Sequence, residues 1–230
     1  MDWNTLLFLI FPYLALITAV VVTVYRSIFR PFTVSSLSSQ LLERKKLYWG
    51  SLSFHWGIVL ILLGHLAAMF FPNSLAAWNA RPLRLYLLEL TGLALALWAL
   101  GGLLILIWRR VSERRVRVVT SPMDALVLLL LFVSIFTGIW TAVGYRFGSA
   151  WFTAVFTPYL WSLLTFQPQI ALVAPLPFAI KLHAFNFFLL VMVFPFSRLV
   201  HIFTVPLGYL FRPWQIVISG RRTAPEQQMK

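Results

Sequence analysis

PFAIKLHAFNFFLLVMVFPFSRLVHIF, residues 177–203, is an apolar stretch that carries two histidines, His183 and His201. Eighteen residues separate them, which is five turns at 3.6 residues per turn. Both rings therefore leave the same helix face, about 27 Å apart along the axis. The hydrocarbon core of a bilayer is about 30 Å thick, so one histidine falls near each side. The chain has only two other histidines, His55 and His65, and they share a second apolar stretch. Four histidines on two such stretches, and none elsewhere, form the pattern that any function has to explain.

The composition sets the class. Of 230 residues, 60% are hydrophobic and 11% charged, against about 25% charged in an average soluble domain. This is the composition of an integral membrane protein. Asp2 is the only side-chain charge before the first apolar run, and Arg26 and Arg30 follow it. That is the reverse of a signal peptide, so no cleavable leader is expected and the N-terminus is read as outside. The net charge of +13 lies in short loops beside apolar runs, where it sets topology rather than binding nucleic acid. The absence of cysteine excludes disulfides, iron–sulfur clusters, zinc thiolate sites and c-type haem attachment within this chain.

The apolar pattern predicts an all-α membrane bundle of five spans, about 3–25, 50–71, 83–108, 123–145 and 178–203, forming one domain with a cytoplasmic tail at 204–230. Pro12 should bend the first span, and Asp124 beside Ser121-Pro122 marks the start of the fourth. Residues 148–177 are nearly uncharged, aromatic and interrupted by prolines. They read as an interfacial helix over about 149–167, with a sixth span as the alternative. Lysine and arginine number fifteen on one side (26, 30, 44–46, 109, 110, 114, 115, 117, 198, 212, 221, 222, 230) and four on the other (81, 84, 146, 181). This places the N-terminus outside and the C-terminus in the cytoplasm, a parity that five spans satisfy and six do not.

The second span then enters from the cytoplasm, with His55 near the inner face and His65 roughly 15 Å further out. The fifth span enters from outside, so His183 is outer and His201 inner. Depth pairs His55 with His201 and His65 with His183. Each pair suits the two axial positions of a haem iron. Gly57, Gly64, Ala67, Ala68 and Ala184 are small neighbours that would leave room for a macrocycle. The spacings of about 15 and 27 Å differ, and Pro195 is placed to kink the fifth span and absorb the difference. Histidines buried as polar contacts, or serving a transporter as proton relays, are the competing readings.

The chain resembles the gamma subunit of respiratory nitrate reductase, a dihaem cytochrome b membrane anchor. The resemblance runs along nearly the whole length. It is strongest in SSQLLERK (38–45), FHWGIVLILLGH (54–65), RRVSERRVRVVT (109–120) and FPFSRLVHIFTVP (194–206). It implies two haems b ligated by His55, His65, His183 and His201, and five spans with the N-terminus outside. It also implies an iron–sulfur beta subunit and a molybdenum-containing alpha subunit on the cytoplasmic side. The expected activity is oxidation of a menaquinol or ubiquinol near the outer haem, with electrons passed inward to those partners, in a prokaryotic cytoplasmic membrane.

In that family the outer-haem histidine, the glycine before it and a lysine form the quinol site. Gly64 and His65 match residue by residue. No lysine stands nearby, and Arg84 is the expected substitute. Glu89, inside the third span, reads either as an ion pair with Lys181 or Arg84 or as a proton acceptor for quinol. Arg198 lies three residues before His201 and suits a haem propionate, with Arg110, Arg114 and Arg117 as further candidates for that role or for docking a partner. Two other functions remain open on the sequence. One is a dihaem cytochrome serving another reductase, for disulfides or sulfur compounds, and the other is a histidine-based proton transporter.

Overall fold

The computed structural model describes residues 2–30, 43 and 45–204. Most of the SSQLLERK motif, Gln40, Arg44 and the tail beyond residue 204 lie outside the described residues. The described residues contain no strand, and five helices among them are long and apolar enough to cross a membrane: Trp3–Phe29, Lys45–Phe70, Pro82–Ser112, Pro122–Gly144 and Phe178–Phe196. The second packs along the third, the third along the fourth, the fourth along the fifth, and the fifth along the first. One end of this bundle carries Arg26, Arg109, Arg110 and Arg198 and is called the basic end below.

Two spans reach further than their apolar runs, for the same reason. Arg109 is 2% exposed, and its Nε donates to Glu43 Oε2 at 2.8 Å while Nη2 donates to the Glu43 carbonyl at 2.8 Å. The same carboxylate accepts the backbone amides of Lys46 and Leu47 at 2.8 and 3.2 Å, satisfying donors that a helix start leaves orphaned. One glutamate thus begins the second span at Lys45 and lets the third carry a buried arginine to its last turns. Burial alone would raise the Glu43 carboxyl, but the two amides and the Arg109 guanidinium outweigh it and hold the group below its usual value. The nearby Lys46–Glu113 pair, 2.6 Å but more than a third exposed, contributes little.

The prolines act as local breaks in the helical ladder. A proline lacks an N–H and crowds the carbonyl four residues back. Ahead of Phe11-Pro12 the first span widens into a π turn over Leu6–Ile10, and ahead of Thr157-Pro158 a second π turn covers Phe152–Phe156. Phe8, four residues before Pro12, has a spare carbonyl as a result. The buried Tyr159 hydroxyl donates to it at 2.7 Å.

Residues 148–164 are helical throughout, as Gly148–Trp151, the π turn and Thr157–Leu164. This helix is not one of the five long ones. One face of it is buried, through Phe156, Thr157, Tyr159, Ser162 and Leu163. Thr157 Oγ1 donates to the Ala68 carbonyl, Trp161 Nε1 to the Met69 carbonyl, and Tyr13 to the Leu163 carbonyl. The segment therefore closes the end of the bundle opposite the basic end. It ends at Phe166, whose left-handed φ of 57° lets the Gln167 amide reach back to Ser162, a Schellman-type stop.

The kink expected at Pro195 is a full interruption. The regular helix ends at Val193, residues Phe194–Phe196 form a 3-10 turn, and Ser197 is extended at φ −109°, ψ 176°. A second 3-10 turn, Arg198–Val200, leads into His201–Thr204. The Ser197 hydroxyl caps that turn by accepting the Leu199 amide, and the Arg26 guanidinium donates to the Pro195 carbonyl.

Small residues set the closest helix contact. A Cβ added to Gly102 would collide with the Phe54 nitrogen and lie 2.8 Å from the Gly50 carbonyl oxygen, whereas one added to Gly101 would meet nothing within 4 Å. Gly102→Ala should therefore lower stability by about 1–3 kcal/mol as the second and third spans are forced apart, while Gly101→Ala should be neutral. Thermal unfolding of the two variants in detergent checks this pair.

Candidate functional site

The four histidine rings meet in two pairs. His55 faces His201 with ring centroids 6.0 Å apart, and His65 faces His183 at 6.4 Å. The second and fifth spans that carry them are not a packed pair of helices; the histidine rings reach across the space between. Two imidazoles ligating one metal ion from opposite sides would sit roughly 6 Å apart, from two bonds of about 2 Å and about 1.1 Å from each nitrogen to its ring centre. Both spacings fit that value. Among the described residues no cluster of three or more metal-ligating side chains occurs.

Each ring has its Nδ1 already engaged. His55 Nδ1 donates to the Ser51 carbonyl at 2.8 Å, with Ser51 Oγ at 3.1 Å. His65 Nδ1 donates to the Ile61 carbonyl at 2.9 Å, and His201 Nδ1 to the Arg198 carbonyl at 2.8 Å. A carbonyl can only accept, so Nδ1 carries the proton and Nε2 keeps its lone pair. His183 turns to the fourth span instead, where the Ser134 carbonyl and the Thr137 hydroxyl are both in reach. Thr137 Oγ1 donates its proton to the Val133 carbonyl at 2.6 Å and stands 3.0 Å from His183 Nδ1, so it must accept there. Hydrogen bonds of this kind are what orient a histidine that binds metal. Thr137 is 2% exposed, and the sequence reading missed it because the contact joins residues 46 positions apart.

The small residues divide by face. A Cβ on Gly64 would meet nothing within 4 Å, and Ala67 is exposed, so that face of the second span is open. Gly57 is not part of it: a Cβ there would lie 2.8 Å from Ala99 Cβ, which gives it to the contact with the third span. Ala184 packs with Phe8, Ala15 and Tyr159, toward the first span, and Ala68 is buried. The room foreseen from these three is filled by helix packing.

The remaining candidates have partners of their own. Arg84 is exposed and sits over the Trp78 ring at 5.3 Å. Glu89 Oε1 accepts from the Ser149 amide at 2.8 Å and the Ser149 hydroxyl at 2.6 Å. Its partner is thus the start of the 148–164 helix, and neither the Lys181 nor the Arg84 ion pair is formed; Lys181 donates to the Ala174 carbonyl. Phe152 of the same helix packs edge-on against His65 at 5.3 Å. Arg198 and Arg110 converge on Asp124, at 2.9 and 3.4 Å. Arg114 and Arg117 are exposed at the basic end.

A bundle of five helices long and apolar enough to span a membrane, across which four histidine rings meet in two pairs, defines a multi-pass membrane protein. The nitrate reductase gamma subunit family model matches residues 4–220, and the chain belongs to that family. It is 33% identical to the nitrate reductase gamma chain of Bacillus subtilis (strain 168), over 90% of this chain and 94% of that one. It is 32% identical to the respiratory nitrate reductase 1 gamma chain of Escherichia coli (strain K12), over 93% and 96%. The respiratory nitrate reductase 2 gamma chain of the same strain is 29% identical, over 95% and 98%.

Thr137→Val keeps the shape of the side chain but removes the hydroxyl beside His183 Nδ1, leaving the Ser134 carbonyl. In the haem-free chain the ring should then be held less firmly in one tautomer, while Thr137→Ser should retain it, as read from its side-chain nitrogen chemical shifts. Loss of the hydroxyl contact should also cost about 0.5–1.5 kcal/mol of stability.

Proposed function

We propose that the chain is the dihaem cytochrome b subunit of a respiratory nitrate reductase, oxidising membrane quinol and passing electrons to an iron–sulfur partner. The observation that carries this is the pair geometry: two pairs of imidazoles with ring centroids 6.0 and 6.4 Å apart, each ring with Nδ1 engaged and Nε2 left for a ligand. Two neutral nitrogens alone make a poor cage for a bare ion, but they complete an iron whose other four positions belong to a macrocycle. His55 and His201 would hold one haem, and His65 and His183 the other. The haems would supply two one-electron carriers at different depths.

This chain's residues do the rest. The open face at Gly64, beside the exposed His65, is the proposed seat of the quinol headgroup, with Arg84 as the nearby cation. Glu89 is the proposed proton acceptor at the same end. Ser149 donates twice to its Oε1, which orients the carboxylate. Oxidation of a quinol releases two electrons and two protons. With the basic end in the cytoplasm, as the lysine and arginine bias favours, the protons leave outside and the electrons move inward, so the step is electrogenic. The partners are then an iron–sulfur beta subunit and a molybdenum-containing alpha subunit against the basic end, and the membrane is the cytoplasmic membrane of a prokaryote. Arg114, exposed at that end, is proposed for a haem propionate. Arg110 and Arg198 already serve a carboxylate of the protein itself.

The test combines stoichiometry with direction. Pyridine haemochrome of the purified chain should give two haems per polypeptide, all extracted by acidified acetone; one haem, or none, overturns the reading. In assembled variants, His65→Ala or His183→Ala should stop quinol from reducing either centre. His55→Ala or His201→Ala should leave the remaining centre reducible by quinol while electrons no longer reach the partner. The opposite asymmetry would place quinol at the basic end and end the electrogenic scheme.

A further inference from the structure

Asp124 is 6% exposed, and nothing in the proposed electron path uses it. It begins the fourth span, in a complete capping box: Ser121 Oγ accepts the Asp124 amide at 3.1 Å, and Asp124 Oδ2 accepts the Ser121 amide at 3.0 Å. A cap alone needs one oxygen. The second, Oδ1, receives Arg198 Nε at 2.9 Å from the fifth span, and Arg110 Nη1 approaches Oδ2 at 3.4 Å from the third. Three spans therefore meet on one buried carboxylate.

Arg198 is also the residue whose carbonyl accepts the Nδ1 proton of His201 at 2.8 Å. Its two ends do different jobs: the guanidinium is held by Asp124, and the backbone orients the imidazole. Side-chain bonds brace this segment in place of a regular ladder: Ser197 Oγ accepts the Leu199 amide, Arg26 donates to the Pro195 carbonyl, and Arg198 itself is tied to Asp124. Arg198 follows the extended Ser197 and stands in a three-residue 3-10 turn, outside any regular helix. His55 and His65, by contrast, donate to carbonyls inside a continuous 26-residue helix. A ligand on an interrupted segment needs an anchor from elsewhere.

We propose that Asp124 is a positioning residue for the inner pair: through Arg198 it fixes the turn that sets the tautomer and ring plane of His201. This rests on the reading of His55 and His201 as haem ligands, and it assigns the Asp124–Arg198 pair to ligand geometry rather than to binding a propionate.

The experiment uses the full chain in its native membranes. Asp124→Asn keeps a cap acceptor and removes the charge; Arg198→Gln removes the other partner; Ser121→Ala removes the cap and spares the pair. Low-spin electron paramagnetic resonance reports the ligand plane of each haem, and a redox titration gives each potential. Asp124→Asn and Arg198→Gln should shift the His55/His201 signal in the same direction, leave the His65/His183 signal in place, and combine in the double variant to no more than either alone. Ser121→Ala should move neither signal. In the haem-free chain the His201 Nδ1 proton should exchange with solvent faster in both pair variants.

Unmoved signals in assembled Asp124→Asn overturn the proposal. So does an equal shift of both haems, which would mark general loosening. Potentials moving in opposite directions for the two variants, with the resonance signals unchanged, would show a plain charge effect and overturn it as well. Should Asp124→Asn fail to accumulate, Asp124→Glu and Arg198→Lys put the same question with the charges kept. If the parent chain holds no haem yet the exchange result stands, the haem reading fails and the anchoring of His201 survives it.

Discussion

Each of the four imidazoles has a single nitrogen to spend, and that constraint organises the molecule. For His55 and His65 the acceptor is the carbonyl four residues back, at 2.8 and 2.9 Å. That carbonyl already closes the helix ladder and still has a second lone pair. Helix geometry alone therefore supplies the acceptor for both rings of the second span. On the fifth span the ladder does not suffice. His183 takes its acceptor from the fourth span, and His201 takes a carbonyl three residues back, inside a tight turn. One partner in each pair is set by its own helix and the other by the tertiary fold.

The unequal spacing of the histidines explains why the fifth span must break. On an unbroken helix His183 and His201 would lie about 27 Å apart, against about 15 Å for His55 and His65. Both pairs nevertheless close to nearly equal ring separations, 6.0 and 6.4 Å. The surplus is absorbed where Val193 ends the helix and Ser197 runs extended. A straighter segment could satisfy one pair or the other. The break has a cost in lost ladder hydrogen bonds, and Ser197, Arg26 and Arg198 replace some of them with side-chain bonds.

Five spans, their order and the pairing of histidines by depth were legible from apolar run length and spacing, because those depend on distance along one helix. What lay outside reach were contacts between distant residues. Gly57 looked like room for a cofactor, yet it lies against Ala99. A glycine on a membrane helix serves a gap or a close approach equally well, and only the neighbour decides. Pro12 and Pro158 announced irregularity, but the π turns ahead of them, and the use of the Phe8 carbonyl by Tyr159, depend on which chain passes nearby. Arg109 counted as one of several loop cations. Its burial follows from Glu43, 66 residues away, and no local pattern records that.

The basic end shows how such long-range contacts serve the site. An aspartate and a glutamate at this end are each committed inside the protein, Glu43 to Arg109 and Asp124 to Arg110 and Arg198. Taking a carboxylate and a guanidinium out of water is expensive, and a pair repays it only where further hydrogen bonds complete both groups. That condition holds at both acids through backbone amides, of Lys46 and Leu47 for Glu43 and of Ser121 for Asp124. Hydrophobic packing between spans is weak as a source of specificity inside a bilayer, since lipid is as apolar as leucine. A directional bond to a helix start can fix the height of one span against another where greasy surfaces would slide. Height is what the histidine pairs require, because a helix that slips by a single turn of about 5.4 Å would carry a ring out of reach of its partner.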